Sequence, residues 1–169
     1  MGFPDLGQSA AADKFAEPAH RDLPADMIPE QHTEHGGRVR VIAGHTHDGR
    51  RGPLERPDID LILLDSRIPP DSTFSWPVSP DSVLLIYIYQ GELVAPGARY
   101  PHGALLVVDA ADTWELAAGE QGSGVLLLAA RPIGEPIVRA GPFVLNTETE
   151  LRQAIDDYQS GRLAVDAAS

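Results

Sequence analysis

VLLIYIYQG, residues 83–91, is the stretch on which the reading of the fold turns. Leu84, Ile86 and Ile88 alternate with Val83, Leu85, Tyr87 and Tyr89, and alternate residues of a strand point to opposite faces of its sheet. Neither set is polar enough to be left in water, so a strand here needs cover on both sides. One face fits the interior of a barrel. The other calls for the chain's own termini, a neighbouring domain or a partner subunit. Burying a large apolar side chain is worth roughly 1.5–3 kcal/mol, so covering two tyrosines, a valine and a leucine is worth several.

Outward from this strand the same texture repeats. Short apolar runs bounded by Gly, Pro, Asp and Ser follow one another: RVRVIAG (38–44), IDLILLD (59–65), STFSWPV (72–78), GALLVVD (103–109), TWELAAG (113–119), GVLLLAARP (124–132) and PIVRAGPFVL (136–145). No long helical pattern separates them, which argues an antiparallel all-β sandwich or barrel rather than a parallel sheet. Residues 1–37 differ. They are rich in Ala, Pro and acidic residues, lack a sustained hydrophobic period, and read as a partly extended arm or linker. The barrel is expected over 38–145 and a helix with its tail over 146–169. In NTETELRQAIDDYQSGRL (146–163), Thr147 and Glu150 have capping-box spacing, Leu151, Ile155 and Tyr158 recur at helical intervals, and Gly161 stands at the C-terminal cap.

The chain has 169 residues, 13 Lys+Arg against 25 Asp+Glu, a net charge of −12, and no cysteine. That charge disfavours direct binding to nucleic acid or anionic lipid. Without cysteine, disulfides, thiolate metal sites and cysteine nucleophiles are excluded together, and only His and carboxylates remain as metal ligands. No apolar run approaches the length of about 18 residues needed to span a bilayer, and the N-terminus lacks a basic region followed by an apolar one. The expectation is a soluble, cytoplasmic protein.

Several segments carry a resemblance to a known family: GGRVRVIAG (36–44), IYIYQGELVAPG (86–97), LLLAARPIGEPIVRAGPFVLNTETELRQAIDDYQSGRL (126–163) and the upstream AADKFAEPAHRDLPADMIPE (11–30). Together they resemble the second half of pirin, a bicupin protein, with GEPIVRAGPFVLNTETEL (134–151) the most specific stretch. The resemblance implies a cupin fold, a jelly-roll β-barrel, closed by the C-terminal helix. It also implies that the iron-holding first cupin of a typical pirin has no counterpart here. Cupins bind metal through a HxH pair, a Glu a few residues on and a His in a later strand. Aligned on Gly91, those slots fall near Pro77–Pro80, Leu84 and Trp114, so the resemblance implies a metal-free barrel and no cofactor.

GHTHDG (44–49) is the other stretch that looks like chemistry. His45, His47 and Asp48 have the donor types of a zinc or nickel site, yet a Gly-rich loop lacking supporting partners holds ligands poorly. The expectation is therefore solvated histidines. His32 and His35 share that weakness; His20 and His102 lie in turn-like contexts and receive no role. Tyr87, Tyr89 and Trp114 are pocket or interface candidates, since aromatic walls suit planar ligands and also fill cores. Asp58/Asp60 and Asp156/Asp157 read as solvated carboxylates, and no motif nominates a nucleophile. Two functions stay open. One is a non-catalytic cupin acting by association, as a homo-oligomer or with a separate protein. The other is part of a metal-dependent, quercetin dioxygenase-like pirin whose metal comes from a missing or separate first cupin, or from the His45/His47 loop.

Overall fold

The computed structural model describes residues 9–16, 22–56, 58–95, 97–109 and 115–162. The described residues form two compact units, those between 22 and 132 in one and residues 9–16 with 133–162 in the other. Eight strands build the first: β1 (Glu30–His32), β2 (Arg38–Ala43), β3 (Ile62–Ile68), β4 (Thr73–Phe74), β5 (Val83–Ala95), β6 (Ala98–Pro101), β7 (Leu105–Asp109) and β8 (Leu116–Ala130). They pair antiparallel in the order β1-β2-β3-β8-β5-β6, with β4 added to β8 and β7 to β5. The last residues of the expected arm thus enter the sheet, as Glu30, Gln31 and His32 pair with Arg40, Val39 and Arg38.

Two expected strands merge. TWELAAG and GVLLLAARP, so far as they are described, form the single strand β8, which pairs with β5 from Val83↔Ala130 to Val94↔Ala117. The register slips between Ile88 and Gln90 and again between Gly91 and Leu93, and such bulges let a long strand bend. Glycine makes the bend possible. Gly91 (φ 67°) and Gly122 (φ 74°) both occupy the left-handed region, and a Cβ on Gly91 would overlap the Gly122 carbonyl oxygen. STFSWPV, in turn, supplies only two strand residues, because Pro77 offers no N–H to a ladder beyond Trp76.

The interior follows the alternation read from the sequence. Leu84, Ile86 and Ile88 are buried together with Val39, Val41, Leu64, Val125 and Leu127. One polar residue stands among them: Ser66, paired in register with Val39 and Val125, is fully buried and its hydroxyl has no hydrogen-bond partner. The opposite face of β5 is less covered than expected. Val83, Leu85 and Tyr89 are half-buried, while Tyr87 is 40% exposed.

PIVRAGPFVL splits at Gly141 into β9 (Val138–Ala140) and β10 (Phe143–Leu145), which pair with each other and not with the eight-stranded sheet. With α1 (Glu148–Gln159) they form the second unit. Leu145, Leu151 and Ala154 are buried there, against Val138, Phe143 and Ile155. The capping box is present: Glu150 N donates to Thr147 Oγ1 at 3.2 Å, and Thr147 N to Glu150 Oε2 at 2.8 Å. Tyr158 departs from the expected buried stripe, being 65% exposed and touching Phe143 edge-on. A segment of the arm joins this unit, with Ala11 N donating to Glu135 Oε2 at 2.8 Å and Lys14 Nζ to the Val144 carbonyl at 3.4 Å. No helix among the described residues is long and apolar enough to cross a membrane.

Two substitutions test these packing statements by urea denaturation. Gly91→Ala should destabilise the protein by about 2 kcal/mol or more, combining a positive φ with a backbone overlap. Ser66→Ala should leave stability unchanged or raise it by about 1 kcal/mol, since it removes an unsatisfied buried hydroxyl. A clear loss on Ser66→Ala would mean that the hydroxyl is bonded.

Candidate functional site

The loop GHTHDG leaves β2 through Gly44 (φ 98°) and turns at Gly49 (φ 83°). Its centre is Thr46, which is buried. Thr46 N donates to the Arg50 carbonyl at 2.9 Å, Arg50 N donates to Thr46 Oγ1 at 2.9 Å, and Gly49 N donates to the Thr46 carbonyl at 2.9 Å. Asp48 closes the turn, accepting from the Thr46 hydroxyl and from Arg50 Nε at 3.0 Å. The Thr46 hydrogen bond, ahead of the Arg50 guanidinium, holds the Asp48 carboxyl below its ordinary range despite some desolvation. This carboxylate serves the turn rather than the histidines.

His47 is held more firmly than a Gly-rich loop suggests. Its N–H donates to Gln31 Oε1 at 2.7 Å, its Nδ1 lies 2.7 Å from Gln31 Nε2, and its ring stacks on Trp76 with centroids 4.6 Å apart and planes 23° from parallel. The support comes from β1 and from the segment after β4, neither of which is adjacent in sequence. His45 and His47 line one pocket of 440 Å³, together with Arg51, Asp60, Ile62 and Trp76. Gln31 and Trp76 were missed by the sequence reading. Trp76 had a signal, as a lone indole before a proline in a β-rich run; Gln31, in the arm, had none.

A metal does not fit the residues described here. No group of three His, Asp or Glu capable of holding an ion is gathered anywhere among the described residues. Of the cupin slots, Leu84 is fully buried hydrocarbon and Val78 is buried beside it in the same core. The Trp114 slot lies outside the described residues, as does His20. His32, His35 and His102 are exposed, and His32 approaches only Glu30, at 3.7 Å. Among the other carboxylates, Asp58 is held below its usual range first by its hydrogen bonds to Arg56, and Asp157 by those to Gln153 and then Arg162. Neither has the raised affinity for protons that general acid catalysis requires.

Tyr87 and Tyr89 share the outer face of the sheet without sharing a pocket. Tyr87 lies in a cross-strand row with Leu126 of β8 and Leu105 of β7; in the next row Leu85 is flanked by Leu128 and Val107. Leu105, Val107 and Leu126 are 46%, 53% and 37% exposed. Tyr89 sits at the β5 bulge, donates its hydroxyl to Asp65 Oδ1, and carries the Arg67 guanidinium over its ring at 5.0 Å. Burial, and next the bonded Asp65 carboxylate, push the Tyr89 hydroxyl up to about 12. Tyr89 is thus a fixed polar border to the apolar rows, while Tyr87 lies within them.

Comparison with known proteins agrees with this architecture. The pirin C-terminal cupin domain matches residues 63–164. A Pseudomonas aeruginosa protein provisionally named as a quercetin 2,3-dioxygenase is 37% identical over 161 residues, covering 92% of this chain and 56% of that one. A pirin-like protein of Caulobacter vibrioides is 35% identical over 149 residues, covering 88% of this chain and 54% of its own length. Among solved structures, a quercetin 2,3-dioxygenase from Acinetobacter baumannii superimposes with a TM-score of 0.81 at 26% identity, over 92% of this chain and 54% of that one. The chain spans about half the length of the curated relatives it matches. From β3 through α1 it carries the cupin fold of a pirin second half, and the chain belongs to the pirin family.

Proposed function

We propose that this domain works by association rather than catalysis, in the cytoplasm, and that the outer face of its β3–β8–β5–β7 sheet seats a second copy of the chain. One observation carries the reading: Tyr87, Leu105, Val107 and Leu126 form an exposed, contiguous set of apolar side chains in cross-strand register. Half-buried Leu63, Val83, Leu85 and Leu128 extend it. Two sheets stack well at about 10 Å, and a two-fold axis through such a patch brings it against itself, so a flat apolar face is self-complementary. Each of the four exposed residues is already about half covered, and finishing the burial gives roughly 1 kcal/mol apiece. Counted on both copies and with the half-buried neighbours, this gain is of the same order as the association cost of about 4–15 kcal/mol, so the dimer is weak and exchanging rather than permanent.

A second reading has its own support. Two of the proteins this chain is similar to carry the name quercetin 2,3-dioxygenase, and each is nearly twice as long as the part it matches. In an enzyme of that kind the same outer face would seat a metal-bearing cupin, and this domain would be its non-catalytic half.

Light scattering behind size exclusion should show dimer accumulating at hundreds of micromolar and dissociating on dilution. Val107→Glu and Leu126→Glu, each on the outer face, should give folded monomers at the same concentration. A wild-type chain that stays monomeric there would overturn self-association. Titration with a separately expressed, metal-bearing first cupin of a pirin separates the second reading: a stoichiometric complex, blocked by Val107→Glu and Leu126→Glu, would favour the enzyme.

A further inference from the structure

The pocket beside GHTHDG is not used by the association face, and its chemistry is specific. The Gln31 carboxamide fixes the state of His47. Its Oε1 accepts from the His47 backbone N–H, so Nε2 must be the atom that faces Nδ1. An amide NH₂ only donates, which makes Nδ1 the acceptor and leaves the ring proton on Nε2. His47 therefore offers an N–H donor in a set orientation, with one ring face packed on Trp76. Arg51 lines the same pocket, and its ion pair to Glu55 is 3.6 Å long between exposed side chains. Such pairs contribute little and exchange readily.

We propose that this pocket binds a planar aromatic carboxylate, its ring against the His47 face turned away from Trp76 and its carboxylate held by His47 Nε2–H and the Arg51 guanidinium. The ligand takes the place of Glu55 at Arg51. Glu55 and Asp60 both line the pocket, and its second guanidinium, Arg56, is paired with Asp58; a second negative charge is thereby disfavoured, so the class is monocarboxylates. A volume of 440 Å³ falls at the small end of ordinary ligand sites, enough for a compact fused-ring acid. Gln31 is a positioning residue: it touches no ligand, and acts by keeping the proton on the far nitrogen of His47.

Titration calorimetry with 2-naphthoate tests the site. Saturable binding with a Kd below about 1 mM is expected. His47→Ala and Arg51→Gln should each weaken it by about tenfold or more, and neutral 2-naphthamide should bind about tenfold more weakly than the acid. Arg139→Gln, in the other unit, should bind as wild type. Gln31→Leu should weaken binding while the protein stays folded, and the ¹⁵N shifts of the His47 ring should then report a mixture of tautomers in place of one. The proposal fails if no saturable heat appears, if His47→Ala binds as well as wild type, if the amide matches the acid, or if the wild-type imidazole carries its proton on Nδ1.

Discussion

The pairing of β5 with β8 is the constraint from which the barrel follows. These two strands stay hydrogen-bonded from Val83↔Ala130 to Val94↔Ala117. β3 and β4 attach to β8, β6 and β7 attach to β5, and β2 and β1 follow in turn from β3. A straight ladder of that length would leave its two ends far apart. The register slips near Gln90 and Gly91 let it bend, with β3 and β7 paired to one half of the ladder and β4 and β6 to the other. At one of these slips the two backbones approach closely, Gly91 against the Gly122 carbonyl. Side chains are excluded at that point by the backbone of the partner strand.

How much of this was legible depended on how local each signal was. The alternation in residues 83–89 named the buried set Leu84, Ile86 and Ile88 because period-two patterning is written in consecutive residues. The capping box of Thr147 and Glu150 was equally readable, its partners lying three residues apart. Fusion of two runs into β8 was not, because glycines at 119, 122 and 124 look like turn residues in one dimension and like a bend in three. The His47 environment was least legible of all. Its partners Gln31 and Trp76 stand 16 residues before it and 29 after it, and only the fold brings them together.

The barrel's two surfaces have taken different courses. Among the described residues its interior is filled mainly with aliphatic side chains where a metal-binding cupin would place imidazole and carboxylate, and the Ser66 hydroxyl stands orphaned in it. Its polar chemistry lies outside, in the Tyr89–Asp65–Arg67 cluster and in the loop after β2. Aliphatic packing holds the described core together, and the surface is where side chains vary without disturbing it.

The short strand β1 joins these themes. Residues that composition marks as a tether give β2 a neighbour on its outer edge and supply the amide that orients His47. A fragment trimmed to begin at Arg38 would keep every large core side chain of the barrel. It would also expose the β2 edge to pairing with any passing strand and release the imidazole to rotate. The smallest portable form of this barrel therefore starts upstream of its first long strand, at a place hydropathy alone would discard.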